Sequence, residues 1–374
     1  MAVIAAAVAL LLLQFPTSAA TPGGEKWTKE YSSPEPIGWR HPVALALAPN
    51  ARCLAIAHAG TVTVFDISGA FLWSWNYAKA SRYIEPAELA ISSSCDAVAL
   101  VGRPEYKYTW LVRRRGGARA LSTISTPLGA AFDRRGEHLA VGTGGSDVHL
   151  FTIAGVQRWK TTLERGGFDR LAFSDDDRSV VLLGRGIGVL RVDGSVVWEA
   201  DDNAMVASLD LRTFVSWSEP SHGPGIGGTF ARGAGGELLW PAYKFSSTVG
   251  ALVSRTGDRI AAWVNLNQNP TEADGFTQDH PRVLQVLGRA GDLIETIPAP
   301  QGQLLAFSPQ ADRVLLKTPD RLVEMDATGR VSFLILLNQH EESRVIVAED
   351  YSGLLLLQGR GTTRIHWFEL RPAK

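Results

Sequence analysis

The chain has 374 residues, of which 45% are hydrophobic and 20% are charged. This is the composition of an ordinary globular protein, so neither general disorder nor a chain that spans membranes throughout its length fits it. The 37 basic and 38 acidic side chains leave a formal net charge of -1, which gives no electrostatic reason to expect nucleic acid or an anionic membrane surface as a partner.

The first twenty residues have the pattern of a secretory signal peptide. Residues 2–13 are apolar, and Pro16 and the small residues Ser18, Ala19 and Ala20 follow. This apolar run is shorter than the roughly 20 residues that a membrane-spanning helix needs. We therefore predict cleavage near Ala20, export to the periplasm or the cell exterior, and no stable membrane span in the mature chain. No basic residue precedes the apolar run, so an uncleaved anchor is the alternative.

After the signal sequence, short apolar and β-branched segments alternate with turn residues. In the first unit these segments are Val43–Leu47, Leu54–Ala57, Val62–Phe65 and Phe71–Trp75. No window shows an apolar stripe at helical spacing. The same pattern of four strands predicts further units that begin at about Pro86, Pro127, Phe168, Met205, Thr248 and Gly302.

A Gly-x-x-x-Trp or related signature ends most units, at intervals close to the roughly 40 to 50 residues of a β-propeller blade. The copies are Gly69–Trp73, Gly117–Leu121, Gly155–Trp159, Gly194–Trp198, Gly236–Trp240 and Gly329–Phe333, with a weaker one at Gly291–Glu295. The tryptophans could be stacking platforms for a ligand. Because they recur once per unit at equivalent positions, we expect Trp73, Trp159, Trp198 and Trp240 to pack between blades instead.

The last unit, from Arg344 to Leu370, has only three predicted strands, while Gly23–Tyr31 has the form of an isolated fourth strand. Pairing of the two would close a ring and remove an exposed edge. The sequence therefore predicts an all-β protein in which residues 21–374 form one β-propeller of about eight four-stranded blades. Seven blades is the alternative, should the second or sixth unit be misread.

Cys53 and Cys95 are the two cysteines of the chain. They fall in neighbouring units, Cys53 in a second strand and Cys95 in the turn before one. A disulfide requires Cα atoms within about 7 Å of each other, which strands of separate blades seldom allow. Two unpaired thiols are therefore expected, with a disulfide as the alternative.

The segments 64–73, VFDISGAFLW, and 150–159, LFTIAGVQRW, resemble the repeats of PQQ-like and WD40-like β-propellers of bacteria and archaea. This resemblance covers nearly the whole predicted mature chain and implies the fold, because such repeats occur in scaffolds and enzymes alike. No Trp-Asp pair ends a third strand. The quinoprotein dehydrogenases of this group carry an adjacent Cys-Cys pair, which this chain lacks, so the resemblance implies no quinone cofactor.

The sequence contains no phosphate-binding loop, nucleophile elbow or zinc-protease motif, and its histidines do not cluster at metal-ligand spacing. We therefore predict no catalytic residues, no cofactor and no metal, and interpret Asp175–Asp177 as a polar turn. Three insertions fall between second and third strands, at Arg103–Tyr108, Trp217–Gly228 and Asn265–Pro281. We expect them to lie on one face of the propeller and to form its binding surface, because binding residues concentrate on loops. The candidate binding residues on this loop face are Tyr83, Tyr106, Trp217, His222, Asp279, His280 and Glu341.

These observations predict an exported, monomeric, non-enzymatic propeller scaffold that binds a protein or a cell-envelope component through its loop face. The alternative is a propeller-type hydrolase or lyase with its site at the axial opening. That alternative requires His222, Asp279, His280 and Glu341 to converge, since an active site needs its polar groups within a few ångströms of one another.

Overall fold

A computed structural model describes residues 25–32, 44–78, 86–102, 108–121, 127–165, 168–201, 203–208, 210–218, 228–243, 248–265, 282–298, 302–308, 310–326, 329–337, 343–348, 351–359 and 362–370. These residues form strands and tight turns and contain no helix. Accordingly, none of them belongs to a helix that could cross a membrane. The predicted signal peptide lies outside the described residues.

The strands form eight antiparallel four-stranded sheets, which are the blades of a β-propeller. Blade 1 contains β2 (Ala44–Leu47), β3 (Cys53–His58), β4 (Thr61–Asp66) and β5 (Phe71–Asn76). Blade 2 contains β6 (Pro86–Ile91), β7 (Ala97–Gly102), β8 (Thr109–Arg113) and β9 (Gly117–Ala120). Blade 3 contains β10 (Pro127–Phe132), β11 (His138–Thr143), β12 (Asp147–Thr152) and β13 (Gln157–Thr162). Blade 4 contains β14 (Phe168–Phe173), β15 (Ser179–Gly184), β16 (Ile187–Arg191) and β17 (Val196–Ala200).

The second half of the chain continues the pattern. Blade 5 contains β18 (Asn203–Ala207), β19 (Phe214–Ser218), β20 (Gly228–Arg232) and β21 (Leu238–Tyr243). Blade 6 contains β22 (Thr248–Val253), β23 (Arg259–Asn265), β24 (Arg282–Gly288) and β25 (Leu293–Pro298). Blade 7 contains β26 (Gln303–Phe307), β27 (Arg313–Lys317), β28 (Arg321–Asp326) and β29 (Val331–Leu336). Blade 8 contains β30 (Ser343–Val347), β31 (Gly353–Gln358), β32 (Thr362–Glu369) and β1 (Glu25–Ser32).

The first strands lie nearest the axis of the ring, because they contact the first strands of neighbouring blades, as β2 and β6 or β10 and β14 do. The second strands are buried on both faces, since each blade packs between two neighbours; every residue of β7 is buried. This burial explains why the second strands are continuous apolar runs rather than the alternating pattern of a sheet with one wet face.

The ring closes through the N-terminal strand, as predicted. β1 pairs antiparallel with β32, with Trp27 opposite Trp367. Ion pairs between Lys26 and Glu369 and between Glu30 and Arg364 flank this pairing at 2.8 and 3.0 Å. The prediction of eight blades is therefore confirmed, and the alternative of seven is wrong.

Where a blade carries the signature tryptophan, that residue joins the blade to the next one. Trp159 of blade 3 donates its indole N–H to the carbonyl oxygen of Val192 in blade 4 at 2.8 Å. A Cβ atom at Gly194 would lie 2.9 Å from the Trp159 ring, so this turn has room only for glycine. The expected packing between blades is confirmed. Equivalent indole bonds run from Trp27 to Ile67, from Trp198 to Ala234 and from Trp240 to Arg289, each to the residue two positions before a signature glycine.

The expectation of two free thiols is wrong, because Cys53 and Cys95 form a disulfide with a Cα–Cα distance of 6.0 Å. Cys95 lies in a turn, as predicted, with φ of 64°, and this turn reaches back onto blade 1. The side chain of Asn50 binds the Ser93 carbonyl at 2.9 Å, and the Trp73 indole binds the Cys95 carbonyl at 2.7 Å. Strand spacing between blades therefore does not limit the distance between the two sulfur atoms.

Candidate functional site in the axial channel and on the loop face

The two faces of the ring differ in the connections that they carry. The turn face holds the hairpins between first and second strands, which are tight turns closed by backbone hydrogen bonds such as Cys95 N to Ser92 O at 2.9 Å. Because first strands run toward that face, the opposite loop face holds the connections between blades and those between second and third strands. The strand ends that flank the connections 103–107, 219–227 and 266–281 lie on the loop face.

Most predicted binding residues fall within these connections. Tyr83, Tyr106, His222, Asp279, His280 and Glu341 lie outside the described residues. Trp217 belongs to β19 rather than to the insertion, and its backbone pairs with Asn203 and Thr229. The strands that bear the insertions are thus as predicted. That the seven side chains share one face stays a prediction, and so does the convergence of His222, Asp279, His280 and Glu341 that the enzyme alternative requires.

An axial cavity of about 440 Å³ lies among the first strands of blades 1, 2, 3, 4 and 8. Its walls are largely small or apolar, with contributions from Leu45, Ala90, Ala131 and Ile346. Three charged side chains, Glu88, Arg134 and Arg344, also line it. The volume is within the range of small-molecule sites, about 300 to 1,000 Å³.

Glu88 and Arg344 occupy equivalent positions on first strands that flank blade 1. In the pairing of first and second strands, the backbone of Glu88 lies opposite Val101 and that of Arg344 lies opposite Leu357. The corresponding residue of blade 1, between them, is Ala44, which pairs with Ala57. Neither the Glu88 nor the Arg344 side chain forms a hydrogen bond or an ion pair with any residue that the structure describes.

The environment of Glu88 shifts the ionisation of its carboxyl group toward neutral pH. The residue is accessible to solvent and lines the cavity, while protein surrounds its carboxyl group on most sides. This burial raises the pKa of Glu88 to about 7, and the attraction of Arg344 acts in the opposite direction. The carboxyl group also lies over the neighbouring blade, since a Cβ atom at Gly129 would be 3.5 Å from Oε2.

Ion pairs cross the axis on the turn face. Asp175, in the turn after β14, pairs with Arg134 of blade 3 and with Arg255 of blade 6, the latter at 3.1 Å between Nε and Oδ2. Asp177 accepts the backbone N–H of Arg134 at 2.7 Å. The turn Asp175–Asp177 is therefore the polar turn that the sequence indicates, and it also ties together blades 3, 4 and 6.

Sequence reasoning missed Glu88 and Arg344, although a signal for both was present. Each interrupts a first strand that is otherwise apolar, in PAELAI and in the run RVIV. Arg170 occupies the equivalent position in the first strand of blade 4, so charged residues recur at this level of the axis. Among the described residues, no group of three or more His, Cys, Asp or Glu side chains is placed to hold a metal ion.

Comparisons with known proteins bear on the fold. No protein-family model and no curated protein sequence matches the chain. Among solved structures, BamB from Moraxella catarrhalis is similar, with a TM-score of 0.58, 14% identity, and coverage of 92% of this chain and 98% of that one. A solved structure of a eukaryotic initiation factor is also similar, with a TM-score of 0.57 and 12% identity. The similarity covers 86% of this chain and 83% of that one. At these identities the similarity concerns the fold alone, and the chain is a β-propeller like those that its repeats resemble.

Proposed function

We propose that the protein is an exported, non-enzymatic β-propeller scaffold that binds a protein or a cell-envelope component through its loop face. The observation that carries this proposal is the difference between the two faces. The turn face consists of short turns, and the ion pairs of Asp175 cross it at the axis. The loop face carries the longest connections of the chain, and binding residues concentrate on such connections when a rigid framework positions them.

The disulfide between Cys53 and Cys95 supports export. Disulfides form and persist in the periplasm and outside cells, whereas cytosolic thiols are kept reduced. Together with the signal-peptide pattern, this favours an extracytoplasmic location. The similarity in fold to BamB agrees with the propeller framework that the proposal requires.

Photo-crosslinking from defined positions tests the proposal. A photoreactive amino acid is placed at Tyr106 or His280, which are predicted to lie on the loop face, and at Arg114 or Glu137 on the turn face as a matched control. We expect discrete crosslinked products in envelope fractions from the loop-face positions and not from the controls. Deletion of residues 266–281 should remove the product formed from Tyr106. The same products from both faces would contradict a binding role of the loop face.

A hydrolase or lyase activity at the axial opening is the second candidate, and Glu88 favours it. A carboxyl group with a pKa of about 7 in a cavity can exchange protons near neutral pH, as an acid or base catalyst must. Chromogenic esters, phosphates and glycosides provide the assay. Turnover that Glu88→Gln abolishes would support this candidate, and turnover unchanged by that substitution would exclude Glu88 from the reaction.

A further inference from the structure

We propose that the axial channel binds an amino acid or a dipeptide in its zwitterionic form, with the ligand's ammonium group at Glu88 and its carboxylate at Arg344. Both protein side chains belong to first strands and line the same cavity of about 440 Å³. The proposal is independent of the loop-face proposal, because a partner protein on that face and a small ligand in the channel contact different residues.

The two charges face one space without neutralising each other. They are close enough for Arg344 to lower the proton affinity of Glu88, yet their side chains form no ion pair in the part of the chain that the structure describes. By contrast, Asp175 on the turn face is paired with both Arg134 and Arg255. Both side chains are accessible from the space that they line, so each is available to an occupant that carries a group of opposite charge.

Small residues leave room for that occupant. The residue between the two charges at the equivalent position of blade 1 is Ala44, and on the far side of Glu88 it is Gly129. A Cβ atom at Gly129 would lie 3.5 Å from Oε2 of Glu88, so a larger side chain there would fill the space beside the carboxyl group. The neighbouring wall of Leu45, Ala90 and Ile346 offers apolar contact for a short aliphatic side chain.

The signs of the charges select the ligand class. A simple anion would pair with Arg344 and leave the Glu88 carboxyl unpaired, and a simple cation would do the reverse. A zwitterion satisfies both, and a guanidinium group binds a carboxylate through two parallel hydrogen bonds. In a dipeptide the two charged ends are farther apart than in a free amino acid by about 3.8 Å, the spacing of consecutive Cα atoms.

Calorimetric titration of the full chain tests the proposal with four probes: alanine, alanylalanine, N-acetyl-alanylalanine and alanylalanine amide. We expect alanine or alanylalanine to bind, and the stronger of the two identifies an amino-acid or a dipeptide site. The acetylated dipeptide lacks the ammonium group and the amide lacks the carboxylate, so each should bind at least about tenfold more weakly than the free dipeptide, as expected for loss of one charged hydrogen-bonding partner.

Variants assign the two ends of the ligand. Glu88→Gln should weaken binding of the free dipeptide but not of the acetylated dipeptide, which has no ammonium group. Arg344→Gln should weaken binding of the free dipeptide but not of the dipeptide amide, which has no carboxylate. Glu88→Asp and Arg344→Lys keep the charges and should retain part of the affinity. Glu137→Gln and Arg158→Gln, on the turn face and on an outer strand, are matched controls that should bind as the wild type does.

The probe series on the wild type decides the proposal even if a variant fails to fold. Failure of both alanine and alanylalanine to bind at millimolar concentration would overturn it. Equal binding of the free, acetylated and amidated dipeptides would also overturn it, since neither charge would then contribute.

Discussion

The indole of Trp159 in blade 3 lies against Gly194 in blade 4 and donates its N–H to the Val192 carbonyl oxygen at 2.8 Å. Gly194 has φ of 91°, in the region that favours glycine. One residue thus supplies both the turn conformation and the space for the ring. This contact, repeated around the ring, explains why a glycine and a tryptophan recur together in the sequence.

Gly194→Ala should therefore destabilise the protein more than the same change at Gly117. Both residues have positive φ, but a Cβ at Gly117 meets no atom within 4 Å, while one at Gly194 meets Trp159 at 2.9 Å. The backbone conformation costs each variant about 1 to 2 kcal/mol, and overpacking adds about 1 to 3 kcal/mol at Gly194 alone. Urea denaturation measures the free energy of unfolding of both variants. Equal losses of stability would show that the indole ring of Trp159 does not restrict Gly194.

Trp240 offers a second test of the joints between blades, because it is buried and its indole binds the Arg289 carbonyl oxygen at 3.1 Å. Trp240→Ala should lower the free energy of unfolding by about 3 to 5 kcal/mol. Trp240→Phe keeps most of the apolar contact and loses the hydrogen bond, so about 1 kcal/mol is expected. A loss near zero for the alanine variant would contradict a packing role.

Removal of the Cys53–Cys95 disulfide should lower the free energy of unfolding. The bridge spans a sequence separation of 42 residues. A crosslink of this kind typically contributes about 2 to 4 kcal/mol by restricting the unfolded chain. The comparison is between the wild type with and without reductant, and the control is the double variant Cys53→Ala with Cys95→Ala. Reductant should destabilise the wild type and leave the double variant unchanged.

The raised pKa of Glu88 predicts a pH dependence of stability. The folded state holds the Glu88 proton up to a pH of about 7, whereas the unfolded chain releases it near the ordinary value of 4.5. Between these values the folded state binds more protons, so the contribution of Glu88 to stability falls as the pH rises. The adjoining strands β2, β7 and β10 carry no titratable residue, and Arg344 is the charged group that acts on Glu88.

Glu88→Gln should remove this dependence. Relative to the wild type, the variant should gain thermal stability between pH 5 and pH 8, because it has no carboxyl group to ionise in the channel. Glu137→Gln, on the exposed turn face, is the control and should show no such change. A difference between wild type and Glu88→Gln that is constant with pH would contradict the raised pKa.

The pairing of Asp175 with Arg255 predicts a measurable coupling across the axis, at an Nε–Oδ2 distance of 3.1 Å. Because both side chains are partly exposed, a double-mutant cycle with Asp175→Asn and Arg255→Gln should give a coupling free energy of about 1 kcal/mol or less. Salt should reduce it. A coupling of zero at low salt would show that the pair does not hold blades 4 and 6 together.

The sequence by itself determined the all-β class, the order of the blades and the closing strand. These follow from local patterns: turn residues punctuate short apolar runs, and Gly23–Tyr31 repeats a fourth-strand form that lacks partners nearby. It also placed the insertions of blades 2, 5 and 6 on the right pairs of strands. The reason is that each blade repeats one pattern, so that a departure from it is visible without knowledge of the fold.

The disulfide and the axial cavity were decided by tertiary structure. Cys53 and Cys95 meet because a turn of blade 2 folds back onto blade 1, a contact that no strand pattern contains. Glu88 and Arg344 are far apart in sequence, and only closure of the ring by β1 and β32 brings blade 8 beside blade 1 and places both charges on one channel. Local spacing specifies each blade, whereas the geometry of the closed ring determines which side chains from different blades share a site.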